Sequence, residues 1–182
     1  MQRDKCLKPN EGIPSSLVAL LAVMAGVSVA NLYYCQPLLN LIREDIGLTE
    51  FQVNLMPVFT QIGYALGLLF IIPMGDLYNR RSTILICFGV LFFSLLTIAS
   101  SNNVMTLLVA SFITGVFSVA PQIFIPFVSQ FSRKDEKERK VGLILSGLLI
   151  GILGSRVASG YVGDIWGWRT MYGIAAGLIA IS

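Results

Sequence analysis

A chain of 182 residues with 55% hydrophobic and only 13% charged side chains, at a mean hydropathy of +0.76, has about half the charge of a soluble domain. No soluble core of this size hides so much apolar surface, so a water-soluble globule is excluded and the bilayer becomes the solvent. The net charge of +3 says little about nucleic acid, and the lack of any histidine excludes histidine-based catalysis and histidine metal sites. Cys6, Cys35 and Cys87 have no metal-ligand spacing, and the last two lie in apolar runs where a thiol behaves as a small hydrophobe. No catalytic residue, cofactor or metal is expected.

Residues 1–15 form a polar amino-terminal segment, and 16–182 read as one transmembrane bundle. No charge occurs from 12 to 42, which leaves room for a first span over 16–39. That run is too long for a cleavable signal peptide and lacks a clear small-residue cleavage site. Residues 51–75 are a second uncharged run, read as a span over 51–74. The third uncharged run, 82–132, holds 51 residues and is too long for one crossing. Its polar break Ser100-Ser101-Asn102-Asn103 divides it into spans over 82–99 and 104–129. A fifth span, 141–163, is interrupted only by Arg156. The sixth begins near 170 and is still hydrophobic at Ser182, short of the ~20 residues a crossing needs, so it is read as truncated.

Basic residues orient the bundle. With the amino terminus in the cytoplasm, the inner segments hold Arg3, Lys5, Lys8, Arg80, Arg81, Arg133, Lys134, Lys137, Arg139 and Lys140, ten of thirteen. The outer loops hold Arg43 and Arg169. The expected location is a bacterial cytoplasmic membrane, amino terminus inside, with the mixed-charge loop 133–140 solvated and touching lipid headgroups.

An internal echo recurs at an offset of 88. Gly75-Asp76-Leu77-Tyr78-Asn79-Arg80-Arg81-Ser82 pairs with Gly163-Asp164-Ile165-Trp166-Gly167-Trp168-Arg169-Thr170, and Gly63 and Gly67 fall on Gly151 and Ser155. Each unit has three spans, an odd number, so the second copy is upside down. The predicted fold class is therefore all-α transmembrane, a six-helix bundle of two inverted three-helix repeats. Many secondary transporters share this plan and hold substrate near the midplane.

The stretch Ile72-Pro73-Met74-Gly75-Asp76-Leu77-Tyr78-Asn79-Arg80-Arg81 resembles the signature between the second and third helices of the major facilitator superfamily. It matches the signature's aspartate and both closing arginines. It departs at the leading glycine, at the arginine after the aspartate and at the turn glycine, where Asn79 still tolerates a left-handed conformation. Asn31-Leu32-Tyr33-Tyr34-Cys35-Gln36-Pro37-Leu38-Leu39 and Gln61-Ile62-Gly63-Tyr64-Ala65-Leu66-Gly67 resemble bacterial drug- and metabolite-efflux members, and Gly167-Trp168-Arg169 is typical of the superfamily. The resemblance covers the whole chain but half of a usual member. It implies half of a transporter fold and a cytoplasmic gate built on Asp76, Arg80 and Arg81. Two departures stand out. Span four lacks the arginine found in many proton-coupled members, having Ser111-Phe112-Ile113-Thr114-Gly115 there, and span five puts Arg156 where antiporters have proline.

Arg156 is the leading candidate for a substrate or coupling pathway, because an arginine deep in a bilayer costs at least ~2.5–3.5 kcal/mol. It either meets an anionic group or a carboxylate in a wet cavity, or snorkels to the outer interface. Asn31, Gln36, Gln61, Tyr64 and Gln122 are further polar candidates, each of which lines the path or bonds a neighbouring helix. Pro121 and Pro126 loosen the helix around Gln122. Gly147, Gly151, Ser155, Ser159 and Gly163 put a small residue at every fourth position of span five, a surface for close helix packing.

The expected function is alternating-access, ion-coupled transport of a small molecule by a protein of which this is the amino-terminal half, inactive alone. Partners are the substrate, membrane lipid and a second six-helix half, supplied by a carboxy-terminal part or by a second copy; nucleic acid is not expected. The alternative is a non-transporting six-span module that binds a partner or self-associates. An enzyme is not expected, since Asp76 and Asp164 fall on opposite membrane faces.

Overall fold

The computed structural model describes residues 12–77 and 80–182, with the side chains of 74–80 outside that description. Every regular element among the described residues is helical: α1 Ser15–Ala30, α2 Cys35–Ile46, α3 Glu50–Leu77, α4 Arg80–Ser100, α5 Val104–Phe117, α6 Ala120–Phe131, α7 Lys137–Trp166 and α8 Trp168–Ile181. In bilayer terms α1 with α2 make the first crossing and α5 with α6 the fourth. Five stretches are long and apolar enough to cross a membrane: Ser15–Ile46, Glu50–Pro73, Arg81–Ser100, Val104–Phe131 and Lys137–Trp166. The chain is a multi-pass integral membrane protein.

Local chemistry sets the helix ends. Thr49 and Gln52 form a reciprocal capping box at the start of α3, Gln52 N–H donating to Thr49 Oγ1 at 3.3 Å and Thr49 N–H to Gln52 Oε1 at 3.0 Å. Asn103 caps α5 by accepting from the Met105 N–H at 2.9 Å. Gly47, at φ 73°, ends α2 in the left-handed region where other residues pay a steric cost.

The first and fourth crossings are each broken near the middle. At 31–34 the backbone tightens, with Leu32 N–H donating to Val29 O at 3.1 Å and Tyr33 N–H to Ala30 O at 2.9 Å. Pro37 lies four residues after Tyr33, has no N–H to give the Tyr33 carbonyl, and crowds it. The Gln36 N–H takes that carbonyl instead, at 3.3 Å. Pro121 stands in the same relation to Phe117, and there the helix interrupts at Ser118 and Val119. Adding the repeat offset of 88 to Asn31 lands on Val119, so the two breaks are repeat-related.

Helix pairing follows the same exchange. α1 lies against α7 backbone to backbone: a methyl on Gly26 would sit 2.7 Å from the Gly147 carbonyl oxygen. α3 lies equally close to α5, where a methyl on Gly63, Gly67 or Gly115 would overlap the carbonyl of Phe112, Val116 or Thr60. Crossing one on five and crossing four on two are one contact, repeated upside down. Such approaches suit bilayer helices, whose association gains from close packing rather than from shedding water. α4 completes the bundle through Ser94, whose hydroxyl donates to Ala110 O at 2.7 Å and lies 2.8 Å from Thr114 Oγ1.

Both ends of the bundle are tied. At one end Gly12 N–H donates to Phe131 O at 3.2 Å, and Lys140 Nζ donates to Ile13 O at 2.9 Å and pairs with Glu136 at 2.5 Å. Lys140 is buried, so the expectation of a uniformly solvated 133–140 loop is corrected there: its second half begins α7 and anchors the segment before α1. At the other end Asp45 accepts from Trp168 Nε1 at 3.1 Å and from the Arg169 guanidinium, which also donates to Asn102 Oδ1 at 2.7 Å.

Candidate functional site

Two polar pairs lie beside the breaks in the first and fourth crossings. Tyr33, half-buried within the tightened turn, offers its ring face to Arg156 of α7, whose guanidinium carbon sits 5.2 Å from the ring centroid. A second pair joins α3 to α6 through Tyr64. The Tyr64 hydroxyl in turn accepts a hydrogen bond from Gln122 Nε2 of α6 at 3.2 Å. Two pairs thus bridge elements beside the breaks: the 31–34 turn with α7, and α3 with α6 just after the second break.

Asn31 lies within the same turn but is buried, and folds back on its own helix. Its Nδ2 donates to Val27 O at 3.1 Å and Ser28 O at 3.2 Å. Among the described residues its Oδ1 and the Ser28 hydroxyl are buried without a hydrogen-bond partner. An unsatisfied buried polar atom costs about 1–3 kcal/mol, which makes this turn a place of stored polarity. Gln36 is half-buried and Gln61 is exposed; neither makes a hydrogen bond with the Tyr33–Arg156 or Tyr64–Gln122 pairs.

Arg156 itself is exposed on α7, ten residues before Trp166 and so ~15 Å along the helix from that end. Among the described residues its guanidinium has neither an ion pair nor a hydrogen-bond acceptor; the Tyr33 ring is its contact. Tyr33 lies in the tightened turn four residues before Pro37, whose missing N–H leaves the Tyr33 carbonyl to the Gln36 N–H.

The small residues of α7 face α1 and α2. Gly147 and Gly151 meet Ala22 and Gly26, Ser155 and Ser159 are buried, and Gly163 lies under Leu38 and Leu41. The two serine hydroxyls return to their own helix, Ser155 to Ile152 O at 2.8 Å and Ser159 to Arg156 O at 3.3 Å. The opposite face of α7 is bare and apolar, with Leu149, Ile150, Leu153, Val157 and Tyr161 all exposed. Of the motif between α3 and α4, the Asp76 and Arg80 side chains lie outside the described residues. Arg81 is exposed and borders an apolar cavity with Leu17, Leu21, Ile84, Leu85 and Phe127. No cluster of metal-ligating residues occurs among the described residues.

Residues 18–182 match the family model of the Major Facilitator Superfamily. The chain is 36% identical over 174 residues to the uncharacterized transporter YgaY of Escherichia coli O157:H7, covering 96% of this chain and 44% of that protein. It is 27% identical to the inner membrane transport protein YnfM of Escherichia coli K12, covering 89% of this chain and 40% of that protein. It is 24% identical to the efflux pump FUBT of Fusarium oxysporum, covering 91% of this chain and 28% of that protein. The chain therefore spans less than half the length of these curated relatives.

Proposed function

From the premise that this chain belongs to the Major Facilitator Superfamily, we propose that it is the amino-terminal half of an alternating-access, ion-coupled transporter of a small molecule. The observation that carries this reading is the pairing of Tyr33 with Arg156 and of Tyr64 with Gln122 beside the repeat-related helix breaks. Broken helices at the centre of inverted repeats are where secondary transporters hold substrate and coupling ions. The efflux pump among the relatives supports export. Arg156, Tyr64 and Gln122 are read as contacts of the pathway, with Asn31, Gln36 and Gln61 bordering it. The turn holding Asp76, Arg80 and Arg81 is read as the cytoplasmic gate.

Transport requires a second bundle against which this one rocks, and the bare apolar face of α7 supports such a partner. The same face also suits a second copy, which keeps open a module that associates without transporting. The basic residues around 133–140 support a cytoplasmic amino terminus, and the Escherichia coli relatives support a bacterial inner membrane. The test is co-expression of this chain with the part of YgaY that it does not cover, followed by mass spectrometry of metabolites exported from cells. Export with both pieces, absent with either alone and lost on Gln122→Leu, is the expected result. Export by the chain alone as a monomer, or no export by the pair when both are folded, would contradict the proposal.

A further inference from the structure

Arg156 is the only charged residue in the apolar stretches 12–42, 51–75, 82–132 and 141–163, and no carboxylate lies within them to balance it. Among the described residues it keeps all its donors unspent, touching only the Tyr33 ring face. The Tyr64 hydroxyl accepts from Gln122, and its own proton is left for an acceptor. The site therefore offers donors and one fixed positive charge, and no negative charge in return.

We propose that the ligand of this site is a small organic monoanion, a carboxylate with an apolar or aromatic body, held by Arg156. This rests on the transport-site reading above. A guanidinium presents a planar fork of N–H groups that matches a carboxylate's two oxygens, and it is weakly enough hydrated to do so away from bulk water. One guanidinium balances one charge. A phosphate dianion would leave an unpaired charge in a low-dielectric site, and a cation would meet like-charge repulsion. The aromatic face of Tyr33 supplies apolar surface for the remainder of the molecule. Asn31 Oδ1 and Ser28 Oγ, in the same turn and in α1, are buried without a hydrogen-bond partner among the described residues.

The test uses three probes of one shape, benzoate, benzamide and benzylammonium, titrated in lipid nanodiscs onto the 182-residue chain co-expressed with the part of YgaY that it does not cover. Benzoate is expected to bind at least about tenfold more tightly than benzamide, equivalent to about 1.4 kcal/mol, and benzylammonium most weakly. Arg156→Gln removes that preference, and Arg156→Lys keeps part of it. Equal binding of benzoate and benzamide by the native chain, no benzoate binding, or a preference that survives Arg156→Gln overturns the proposal. Because the probe comparison needs no variant, misfolding of Arg156→Gln does not blunt it. If benzamide or benzylammonium binds best and Tyr33→Leu weakens it, the mid-membrane site stands and the anion assignment falls. If no probe responds to substitution at Tyr33, Tyr64, Gln122 or Arg156, the site reading falls as well.

Discussion

Lys140 Nζ donates to the carbonyl oxygen of Ile13 across 2.9 Å of space and 127 residues of chain. This bond, with that from Gly12 N–H to Phe131 O, pins the segment before α1 onto the connection between α6 and α7. Replacing Lys140 by methionine keeps the buried stem and deletes the donor, leaving the Ile13 carbonyl without that partner. The expected loss is about 1–3 kcal/mol, felt mostly locally. Hydrogen exchange should show faster exchange at residues 12–18 with little change in α4 and α8. Unchanged protection over 12–18 would refute the anchor.

Gly151 and Gly154 make a paired test of the α1–α7 seam. A methyl on Gly151 would lie 2.5 Å from Gly26 Cα, whereas one on Gly154 meets nothing within 4 Å. Gly151→Ala should lower thermal stability in detergent by ~1–3 kcal/mol or more, as overpacking does, and Gly154→Ala should leave it level or raised. Equal effects of the two substitutions would mean that the close approach does not hold.

Pro37→Ala and Pro121→Ala restore the N–H groups missing after the two breaks. Each variant should be at least as stable as the parent, since a helix-interior proline costs ~3 kcal/mol against alanine before context is counted. Transport by the assembled pair of halves should fall, because a straightened crossing draws Tyr33 or Gln122 away from its neighbour. Faster transport alongside higher stability would show that the breaks are incidental.

Asp45, Trp168 and Arg169 form a clasp whose members act together. Asp45→Asn and Arg169→Gln should each lower the melting temperature, and the double substitution should add little to either. Full additivity in that cycle would show that the two side chains do not depend on one another.

The fold class was legible because charges are scarce. Runs free of Asp, Glu, Lys and Arg mark the membrane-crossing stretches, and an odd number of crossings per repeat sets the inversion. The hinge-like turns were harder to see. Pro121 and Pro126 point to a loosened fourth crossing, but in the sequence Pro37 stands out only within a family phrase, which marks neither the break at 31–34 nor the Tyr33–Arg156 contact. Arg156 stood out as a charge among apolar residues; Tyr33 did not, because an aromatic in an apolar run has no contrast. Lys140 was hidden for another reason. A basic cluster next to a loop reads as solvated until the fold brings a distant carbonyl, here Ile13, within reach. The Thr49–Gln52 capping box is written in the spacing of two residues alone.

The solitary charge of Arg156 has an electrical consequence. If the site takes up one anion, the loaded bundle carries no net charge across its apolar interior, while the empty one carries a single positive charge. Membrane voltage then acts on the empty form, at about 2.3 kcal/mol per charge per 100 mV for a full crossing. Rocking with cargo would be nearly indifferent to the potential, and the return of the vacant carrier would set how the cycle responds to it.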